Sequence, residues 1–500
     1  MGQKSQELYS QFVGIMQKAA DLNNASAVLG WDQEVYMPPK SANFRAQQLA
    51  TLTSLAHEMV TTPEFGKILH ELSAANDLSE DQKANIALSL YDYDKNIKLP
   101  TSFVEQLSRQ TSVCFNTWIE ARQKNDFSVF APELEKMVAL KLQQTELTGY
   151  NNHPYNALLD EYERGITVAK LDVVFNTVKE KLPAIIADII KRQPAASGIF
   201  HQHYPANAQW DFSMDVLKAM GYDLEAGRQD YAEHPFTTSF SPEDVRVTTR
   251  VKENDYAYML WSTIHEGGHA LYEQGLPTAQ YGLPLGSAAS LGIHESQSRL
   301  WENCVGRGED FWSHFLPKLK NYFPEQLKNA TVKELLQTTN RVEPSLIRTE
   351  ADEVTYHFHV MIRYEVEKML IGKQVAVKDL PELWNSMYMK YLGVQAKDFK
   401  TGVLQDVHWS HGSFGYFPTY SLGSFYAAQF YKHAVKTHPA IIEEMRTGQF
   451  GTLLHYLRTE VHQFGRKYNS EELCTKITGK PLDINEFIDY IHHKYNKILS

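Results

Sequence analysis

The sequence of 500 residues has few cysteines and no excess of basic charge. Its cysteines, Cys114, Cys304 and Cys474, are widely separated and odd in number. That pattern excludes a disulfide framework and a zinc–thiolate cluster, and it favours a reducing compartment. The formal net charge is −11 and is spread along the chain, whereas nucleic-acid binding normally requires a basic face. We therefore expect no nucleic-acid partner.

Long apolar runs are missing as well. The longest strongly apolar run, LPAIIADII at 182–190, is far too short to cross a bilayer and contains Asp188. The N-terminal stretch alternates polar and apolar residues at helical spacing and lacks the continuous apolar core of a signal peptide. We therefore expect a cytoplasmic protein with no membrane partner.

Linkers, low-complexity tracts and internal repeats are also absent from the sequence. Because 43% of the residues are hydrophobic, the chain can bury a large core. We predict a single folded domain that spans residues 1–500.

Helical periodicity is what most of the chain does contain. Ser79 and Thr331 precede two periodic segments as candidate helix caps. One stretch, FTTSFSPEDVRVTTRV at 236–251, instead alternates β-branched and polar residues around a turn at Ser241-Pro242. The sequence therefore predicts a mainly α fold with a small β-sheet beside its active site.

The segment TIHEGGHALYEQ, 263–274, carries two histidines four positions apart. On a helix, His265 and His269 share one face and can bind one metal ion, while Glu266 is rotated by about 100° and lies beside that ion. Gly267 and Gly268 cost a helix roughly 1 kcal/mol each against alanine, which suggests that another chain segment approaches the backbone closely. The competing interpretation is a pair of hydrogen-bonded core histidines.

A third ligand is expected from the helical segment LGSAASLGIHESQSRLWENCVG, 285–306. Either Glu295 or His294 could complete the set, and their spacing from His269 does not decide between them. Glu302 lies two helical turns beyond Glu295 and is a candidate hydrogen-bond partner for a ligating histidine. The alternative for Glu302 is a solvated surface charge.

Several blocks of the sequence, in this order, resemble the Taq-type (thermostable) metallocarboxypeptidases. They are GWDQEVYMPP at 30–39, HPFT at 234–237, DVRVT at 244–248, HEGGH at 265–269, HESQS at 294–298, IRTEAD at 347–352, GVLQDVHW at 402–409 and GYFPTY at 415–420. The resemblance covers essentially the whole chain. It implies a nearly all-helical fold with a deep active-site cleft and a small sheet, and it implies a homodimer.

The same resemblance implies an activity and a set of site residues. It assigns the metal ligands to His265, His269 and Glu295, which chooses Glu295 over His294, and it assigns the catalytic glutamate to Glu266. The implied reaction is the release of single C-terminal amino acids from peptides with broad specificity. The implied cofactor is one Zn²⁺ per chain, for which Co²⁺ can substitute.

The chemistry of peptide hydrolysis assigns further roles. Zinc lowers the pKa of water towards about 7 and polarises the scissile carbonyl, and Glu266 accepts the water proton and hands it to the leaving amine. The oxyanion needs donors besides zinc. His234, Tyr416 and Tyr420 are candidates because they lie in family blocks and offer N–H or O–H groups. Each could instead be an ordinary buried side chain.

A carboxypeptidase must also bind the terminal carboxylate of its substrate. Arg348 is the leading candidate because a guanidinium can bind both oxygens, and Gln405 and His408 could assist. The alternative is that Arg348 forms a salt bridge with Glu350 or Asp352.

The DVRVT segment could fix an extended peptide by pairing with it along a strand edge, which would explain broad specificity. Asp244, Arg246 and Thr248 mark this region. The alternative is a structural hairpin with a salt bridge between Asp244 and Arg246.

Two other functions stay open at this point. A zinc oligopeptidase or endopeptidase would cut internal bonds and would not need a carboxylate clamp. A non-catalytic helical binding protein would retain zinc only for structure, but such a site has no use for an unligated Glu266 beside an open metal position.

Overall fold

The computed structural model describes residues 2–500. The chain forms two compact units, and each unit is assembled from three stretches of sequence. The first unit contains residues 2–96, 196–339 and 426–482, and the second contains residues 97–195, 340–425 and 483–500. The single catalytic domain expected for residues 1–500 stays a prediction.

The expected mainly α fold is confirmed. The helices of the first unit are α1 (Gln3–Val35), α2 (Ala42–Thr61), α3 (Pro63–Ser73), α4 (Glu80–Asn96), α9 (Ala206–Met220), α10 (Tyr256–Glu273), α11 (Leu291–Arg299), α12 (Glu309–Tyr322), α13 (Val332–Thr339), α17 (Ala440–Arg446), α18 (Gly451–Glu460) and α19 (Ser470–Thr478). Those of the second unit are α5 (Thr101–Lys124), α6 (Phe127–Thr148), α7 (Tyr155–Leu159), α8 (Val168–Arg192), α14 (Tyr356–Ile371), α15 (Leu380–Leu392) and α20 (Ile484–Ile498). Helix α16 (Pro418–Thr437) has residues in both units. Across residues 2–500, every helix is too short or too polar to cross a membrane.

Side-chain caps begin two helices where the sequence predicts them. Ser79 and Gln82 form a capping box before α4, because each side chain accepts a hydrogen bond from the other residue's backbone N–H. Thr331 accepts a hydrogen bond from the backbone N–H of Glu334 at the start of α13.

A three-stranded sheet lies in the first unit, with the order β1–β3–β2. The strands are β1 (Gly227–Tyr231), β2 (Thr237–Ser241) and β3 (Asp244–Thr249). The hairpin of β2 and β3 confirms the prediction made for 236–251. β1 pairs with β3 in parallel, and its sequence GRQDY carries no apolar alternation that could have announced a strand.

The sheet packs against α10 through the buried face of β3. Val245 and Val247 are fully buried, as are Ile264 and Leu271 on α10. β3 is the central strand and has a neighbour on each side. The expectation that Asp244, Arg246 and Thr248 offer a strand edge to a peptide is therefore wrong, because both edges of β3 are already hydrogen-bonded.

Helix α14 forms the centre of the second unit and is buried along most of its length. Apolar side chains such as Val360, Met361 and Ile362 are fully buried there, and so are two charged ones, Arg363 and Glu367. Buried charges require partners, and most of those partners come from the segment between α15 and α16, while Glu367 also accepts a hydrogen bond from Tyr155 on α7.

Candidate active site

Three side chains from α10 and α11 converge in the first unit. His265 and His269 lie one turn apart on α10, and Glu295 lies on α11; one ligand atom of each falls within 4.8 Å of the others. Nε2 of His265 and Nε2 of His269 lie 3.7 Å and 3.5 Å from Oε2 of Glu295. These distances are longer than those of good hydrogen bonds. The three atoms therefore surround a shared point, the space between them, without forming short hydrogen bonds with one another.

The glycine pair on α10 allows α11 to come close. A Cβ added to Gly268 would lie 2.7 Å from Cα of Ser298 and 2.8 Å from the carbonyl oxygen of Gln297. A Cβ on Gly267 would meet only the end of the Leu217 side chain and, at longer range, Met220. The predicted close approach is thus confirmed for Gly268, and it sets the spacing between the two helices that carry the cluster.

Glu302 holds the ring of His265 on the side away from Glu295. Oε2 of Glu302 lies 2.9 Å from Nδ1 of His265, and Oε1 accepts a hydrogen bond of 2.8 Å from Arg307. Glu302 stands in a π-helical segment, Leu300–Gly306, that continues α11, and such segments are frequent at functional sites. The hydrogen bond predicted between Glu302 and a clustered histidine is confirmed, and its alternative as a solvated charge is wrong.

His294 lies behind His269 and does not belong to the cluster. Its Nδ1 is 2.6 Å from Nδ1 of His269, and its Nε2 is 2.8 Å from Oε1 of Glu273 at the end of α10. Both ring nitrogens of His294 are therefore hydrogen-bonded to other side chains, and neither faces the shared point.

Two arginines keep the carboxylates of the cluster ionised. Burial opposes ionisation of Glu295, but Arg299, whose Nε lies 2.7 Å from Oε1, and the two histidines hold the pKa of Glu295 well below its usual range. Burial likewise opposes ionisation of Glu302, but the charges of Arg307 and Arg299 and the hydrogen bond from His265 together outweigh it, so the pKa of Glu302 is also held low. Burial lowers the pKa of His269, so its ring is neutral at neutral pH.

Glu266 is buried beside the cluster and is oriented by β2. The hydroxyl of Thr237 lies 2.7 Å from Oε2 of Glu266 and 2.9 Å from its backbone carbonyl oxygen. The Thr237 hydroxyl on β2 is therefore shared between the backbone and the side chain of Glu266, and this fixes the orientation of the carboxylate.

Arg348 lies in the second unit and is only 6% exposed. Its Nε donates to Oδ1 of Asp406 at 2.9 Å, and its Nη1 donates to the hydroxyl of Tyr356 at 3.2 Å. Asp406 also accepts a hydrogen bond of 2.7 Å from Nε of Arg363. The alternative pairing of Arg348 with Glu350 or Asp352 is wrong, because its carboxylate partner comes from the GVLQDVHW block.

Gln405 and His408 lie in the same cluster. Oε1 of Gln405 accepts hydrogen bonds from the backbone N–H of Arg348 at 3.0 Å and from Nη2 of Arg363 at 2.8 Å. Nε2 of His408 lies 3.2 Å from the hydroxyl of Tyr420, and burial followed by the charge of Arg348 lowers the pKa of His408 to about 3. His408 is therefore neutral near pH 7.

The remaining candidates are placed as follows. The Tyr420 ring packs against the guanidinium of Arg348, at 4.8 Å, and the Tyr416 ring lies 5.2 Å from that of Tyr420. His234 is exposed in the loop between β1 and β2 of the first unit. Of the three oxyanion candidates, Tyr416 and Tyr420 thus lie close to Arg348, and His234 lies in the first unit.

The DVRVT residues have structural partners. Arg246 donates two hydrogen bonds to Asp244, at 2.8 Å and 2.9 Å, and its guanidinium covers the ring of Trp31 at 4.4 Å. The hydroxyl of Thr248 bonds to the backbone of Phe236. The structural hairpin with a salt bridge is confirmed.

The residues that support these clusters and were not predicted include Thr237, Glu273, Asp406 and Arg363. Thr237 and Asp406 lie inside two of the family blocks, which could have drawn attention to them. Glu273 and Arg363 carry no comparable sequence signal.

Comparison with known proteins gives matches over nearly the whole chain. Residues 11–495 match the profile of the Carboxypeptidase Taq (M32) metallopeptidase family. Thermostable carboxypeptidase 1 of Thermus thermophilus is 38% identical, over 97% of this chain and 98% of its own length. A solved structure of a protein called CHT is 56% identical with a TM-score of 0.96, and it covers 98% of this chain and 99% of that one. The M32 carboxypeptidase of Deinococcus radiodurans R1 is 36% identical with a TM-score of 0.96, and it covers 99% of both chains.

The helical fold and the partly buried cluster of two histidines and a glutamate are those expected of a metalloenzyme. This chain belongs to the carboxypeptidase Taq (M32) metallopeptidase family and is a metallocarboxypeptidase.

The residues present fit the metal that this family requires. Two imidazole nitrogens and one carboxylate oxygen form a common donor set for a catalytic metal with an open position. His265 and His269 each face the shared point with Nε2 while Nδ1 is hydrogen-bonded elsewhere, which is the usual arrangement of ligating histidines.

Proposed function

We propose that this enzyme releases single C-terminal amino acids from peptides with broad specificity, and that it uses one zinc ion per chain held by His265, His269 and Glu295. The convergence of one ligand atom each from His265, His269 and Glu295 within 4.8 Å is the observation that supports this proposal. When bound there, zinc lowers the pKa of water and polarises a peptide carbonyl. Co²⁺ is expected to substitute.

Glu266 is the general base in this proposal. Its buried carboxylate accepts a proton from the attacking water and passes it to the leaving amine. Because Thr237 donates to Oε2, the other oxygen of Glu266 is the one assigned to the transferred proton.

The substrate backbone is assigned to β2 instead of β3. β2 is an outer strand, and the hydrogen bond from Thr248 N–H to Phe236 C=O directs alternate residues, Phe236 and Thr238, towards β3. Thr237 and Ser239 therefore point their backbone N–H and C=O away from the sheet. A cavity of about 750 Å³ runs beside 237–242, so an extended peptide placed there would be read through its backbone, which agrees with broad specificity.

Charged and polar groups outside the α10–α11 cluster are assigned to the terminal carboxylate of the substrate and to the oxyanion. Arg348, with Gln405 and His408, is proposed to bind the terminal carboxylate. Because Nε of Arg348 already donates to Asp406, the contact would be made through its Nη groups. Tyr416, Tyr420 and His234 are proposed donors to the oxyanion. A homodimeric assembly and a cytoplasmic location complete the proposal.

A peptide-ladder experiment tests this function. A peptide of known sequence is digested with native enzyme, with enzyme stripped by a chelator, and with stripped enzyme restored with zinc, and the products are followed by mass. Stepwise loss of C-terminal residues that stops with the chelator and returns with zinc is expected. Internal fragments would instead indicate an endopeptidase, and activity that survives complete metal removal would contradict the metal assignment.

A further inference from the structure

We propose that Glu273 and His294 are positioning residues that hold His269 in the one tautomer able to bind a metal. This inference rests on the proposed ligand set of His265, His269 and Glu295. The three side chains form a hydrogen-bonded relay, from Nδ1 of His269 to Nδ1 of His294 at 2.6 Å and from Nε2 of His294 to Oε1 of Glu273 at 2.8 Å.

The relay is directional because each neutral imidazole carries one proton. Nε2 of His269 faces Glu295 and must be unprotonated to bind a metal, so its proton sits on Nδ1. Nδ1 of His269 then donates to Nδ1 of His294, which can accept only if His294 carries its own proton on Nε2. The carboxylate of Glu273 accepts from that Nε2 and thereby fixes the tautomers of both rings.

Glu273 is separated from the proposed metal position by His294 and His269. Its loss would still remove the constraint on the tautomers of both rings. Without its acceptor, His294 can move its proton to Nδ1, where it opposes the Nδ1 proton of His269. His269 would then place its proton on Nε2, which blocks the ligand position. The effect reaches the metal without changing any ligand.

The other histidine of the cluster is supported differently. His265 donates directly to Glu302, which Arg307 holds in turn, so a single carboxylate fixes its tautomer. The relay behind His269 interposes a second imidazole. Of the two histidines, only His269 is therefore linked to a carboxylate through an intermediate residue, and only there can a change at that carboxylate affect metal binding indirectly.

Two features tie Glu273 to this role. It is the last residue of α10, one helical turn beyond His269. Burial opposes its ionisation, but hydrogen bonds from His294 and from Ser239 on β2 keep the pKa of Glu273 low. An ionised carboxylate is the stronger acceptor for the His294 N–H.

Zinc affinity, measured by competition with a chromophoric chelator, tests the relay without reference to activity. Glu273→Ala and His294→Ala should each weaken zinc binding by about 10- to 100-fold, as loss of such outer partners typically does. Glu273→Gln should stay within a few-fold of wild type, because an amide oxygen can still accept the His294 N–H. The double variant should bind zinc no more weakly than His294→Ala alone, since Glu273 acts only through His294.

Control variants separate the relay from simple damage to the helix. Gln274→Ala removes contacts to Asp223 at the same helix end and should leave zinc affinity unchanged. If Glu273→Ala fails to fold, Glu273→Leu fills the same space without an acceptor and carries the same expectation.

The outcomes also distinguish the relay from the metal site. Additive losses in the double variant, an equal loss in Glu273→Gln and Glu273→Ala, or full affinity without Glu273 would each overturn the relay. His269→Ala is the reference for the site: if it keeps zinc, the proposed ligand set fails as well. If it loses zinc while the Glu273 variants do not, the relay alone fails.

Discussion

The cluster on α10 and α11 and the cluster around Arg348 both pair buried carboxylates with arginines, but only the first also holds two histidine nitrogens near a carboxylate oxygen without short hydrogen bonds. Around Arg348, each oxygen of Asp406 accepts a short hydrogen bond from an arginine, at 2.9 Å and 2.7 Å. On α10 and α11, Glu295 has a similar bond of 2.7 Å from Arg299, but Nε2 of His265 and Nε2 of His269 lie 3.7 Å and 3.5 Å from its other oxygen. A cluster whose buried groups complete one another's hydrogen bonds has a structural role. A cluster whose nitrogen and oxygen atoms lie close together without short hydrogen bonds requires a further partner.

The difference predicts unlike consequences of mutation. Variants of His265, His269 and Glu266 should change metal binding or chemistry while leaving the fold intact. Variants in the Arg348 cluster should change the handling of the substrate terminus, and they also remove a partner from a buried ion pair, which is destabilising in its own right.

The largest effect is expected from Glu266→Gln. The change removes the proposed base but keeps its size, and general-base catalysis typically contributes about 10²- to 10⁴-fold. We expect kcat to fall by that range while metal content stays at wild-type level, as measured by peptide hydrolysis and elemental analysis. Full metal content with activity within a few-fold of wild type would contradict the role.

Glu295→Ala and His294→Ala form the next comparison. The first removes a proposed ligand, whereas the second removes a hydrogen-bond partner of a proposed ligand. Zinc retained after gel filtration should therefore be markedly lower in Glu295→Ala. Equal loss in the two variants would reopen the choice of the third ligand.

Arg348→Ala tests whether the cluster around Arg348 also serves the substrate. A charge-assisted contact to a terminal carboxylate is worth roughly 2–5 kcal/mol when one partner is removed, so kcat/KM for free-acid peptides should fall by about 30-fold or more. Zinc should stay bound, and the variant should discriminate less between a free acid and its C-terminal amide. If wild type cuts both equally, or the variant slows both equally, Arg348 is structural only.

Gly268→Ala and Gly267→Ala sharpen the claim that backbone contact sets the spacing of α10 and α11. The added methyl at 268 would meet the backbone of Gln297 and Ser298, and overpacking of this kind typically costs about 1–3 kcal/mol. The methyl at 267 would meet mainly the end of a leucine side chain, and alanine favours the helix by roughly 1 kcal/mol. The midpoint of thermal unfolding should therefore fall more for Gly268→Ala. Equal midpoints would show that the two helices can separate at no cost.

The smallest expected effect concerns His408 and pH. Its pKa is about 3 in the fold, against about 6.5 in an unfolded chain, so the unfolded state binds more protons between these values. The contribution of His408 to stability is thus complete above about pH 6.5 and is lost as the pH falls towards 3. We expect the thermal midpoint of wild type to drop more on acidification than that of His408→Gln. Parallel curves for the two proteins would contradict this assignment.

The sequence predicts the parts of the site that depend on local geometry. Helical spacing alone places His265 and His269 on one face, and period-two alternation locates the hairpin of β2 and β3. The choice of Glu295 over His294 came from resemblance to the family, because both residues lie on the same helical turn. Only the fold separates them, by turning one towards the shared point and the other towards Glu273.

Contacts between residues that are far apart in the sequence could not be predicted from it. Arg348 has two acidic residues within four positions, yet it pairs with Asp406, 58 positions away. β3 has the clearest strand pattern, yet the pattern does not show that β3 is the central strand, with a neighbour on each side and no free edge. β1, which completes the sheet, carries almost no strand signal of its own.

Crystals of the enzyme soaked in zinc and measured at the zinc absorption edge give the most direct test of the central claim. The account predicts one anomalous peak per chain, at about 2.0–2.2 Å from Nε2 of His265, Nε2 of His269 and a carboxylate oxygen of Glu295, with Glu266 unligated beside it. A peak elsewhere, or one coordinated by His294 in place of Glu295, would contradict it.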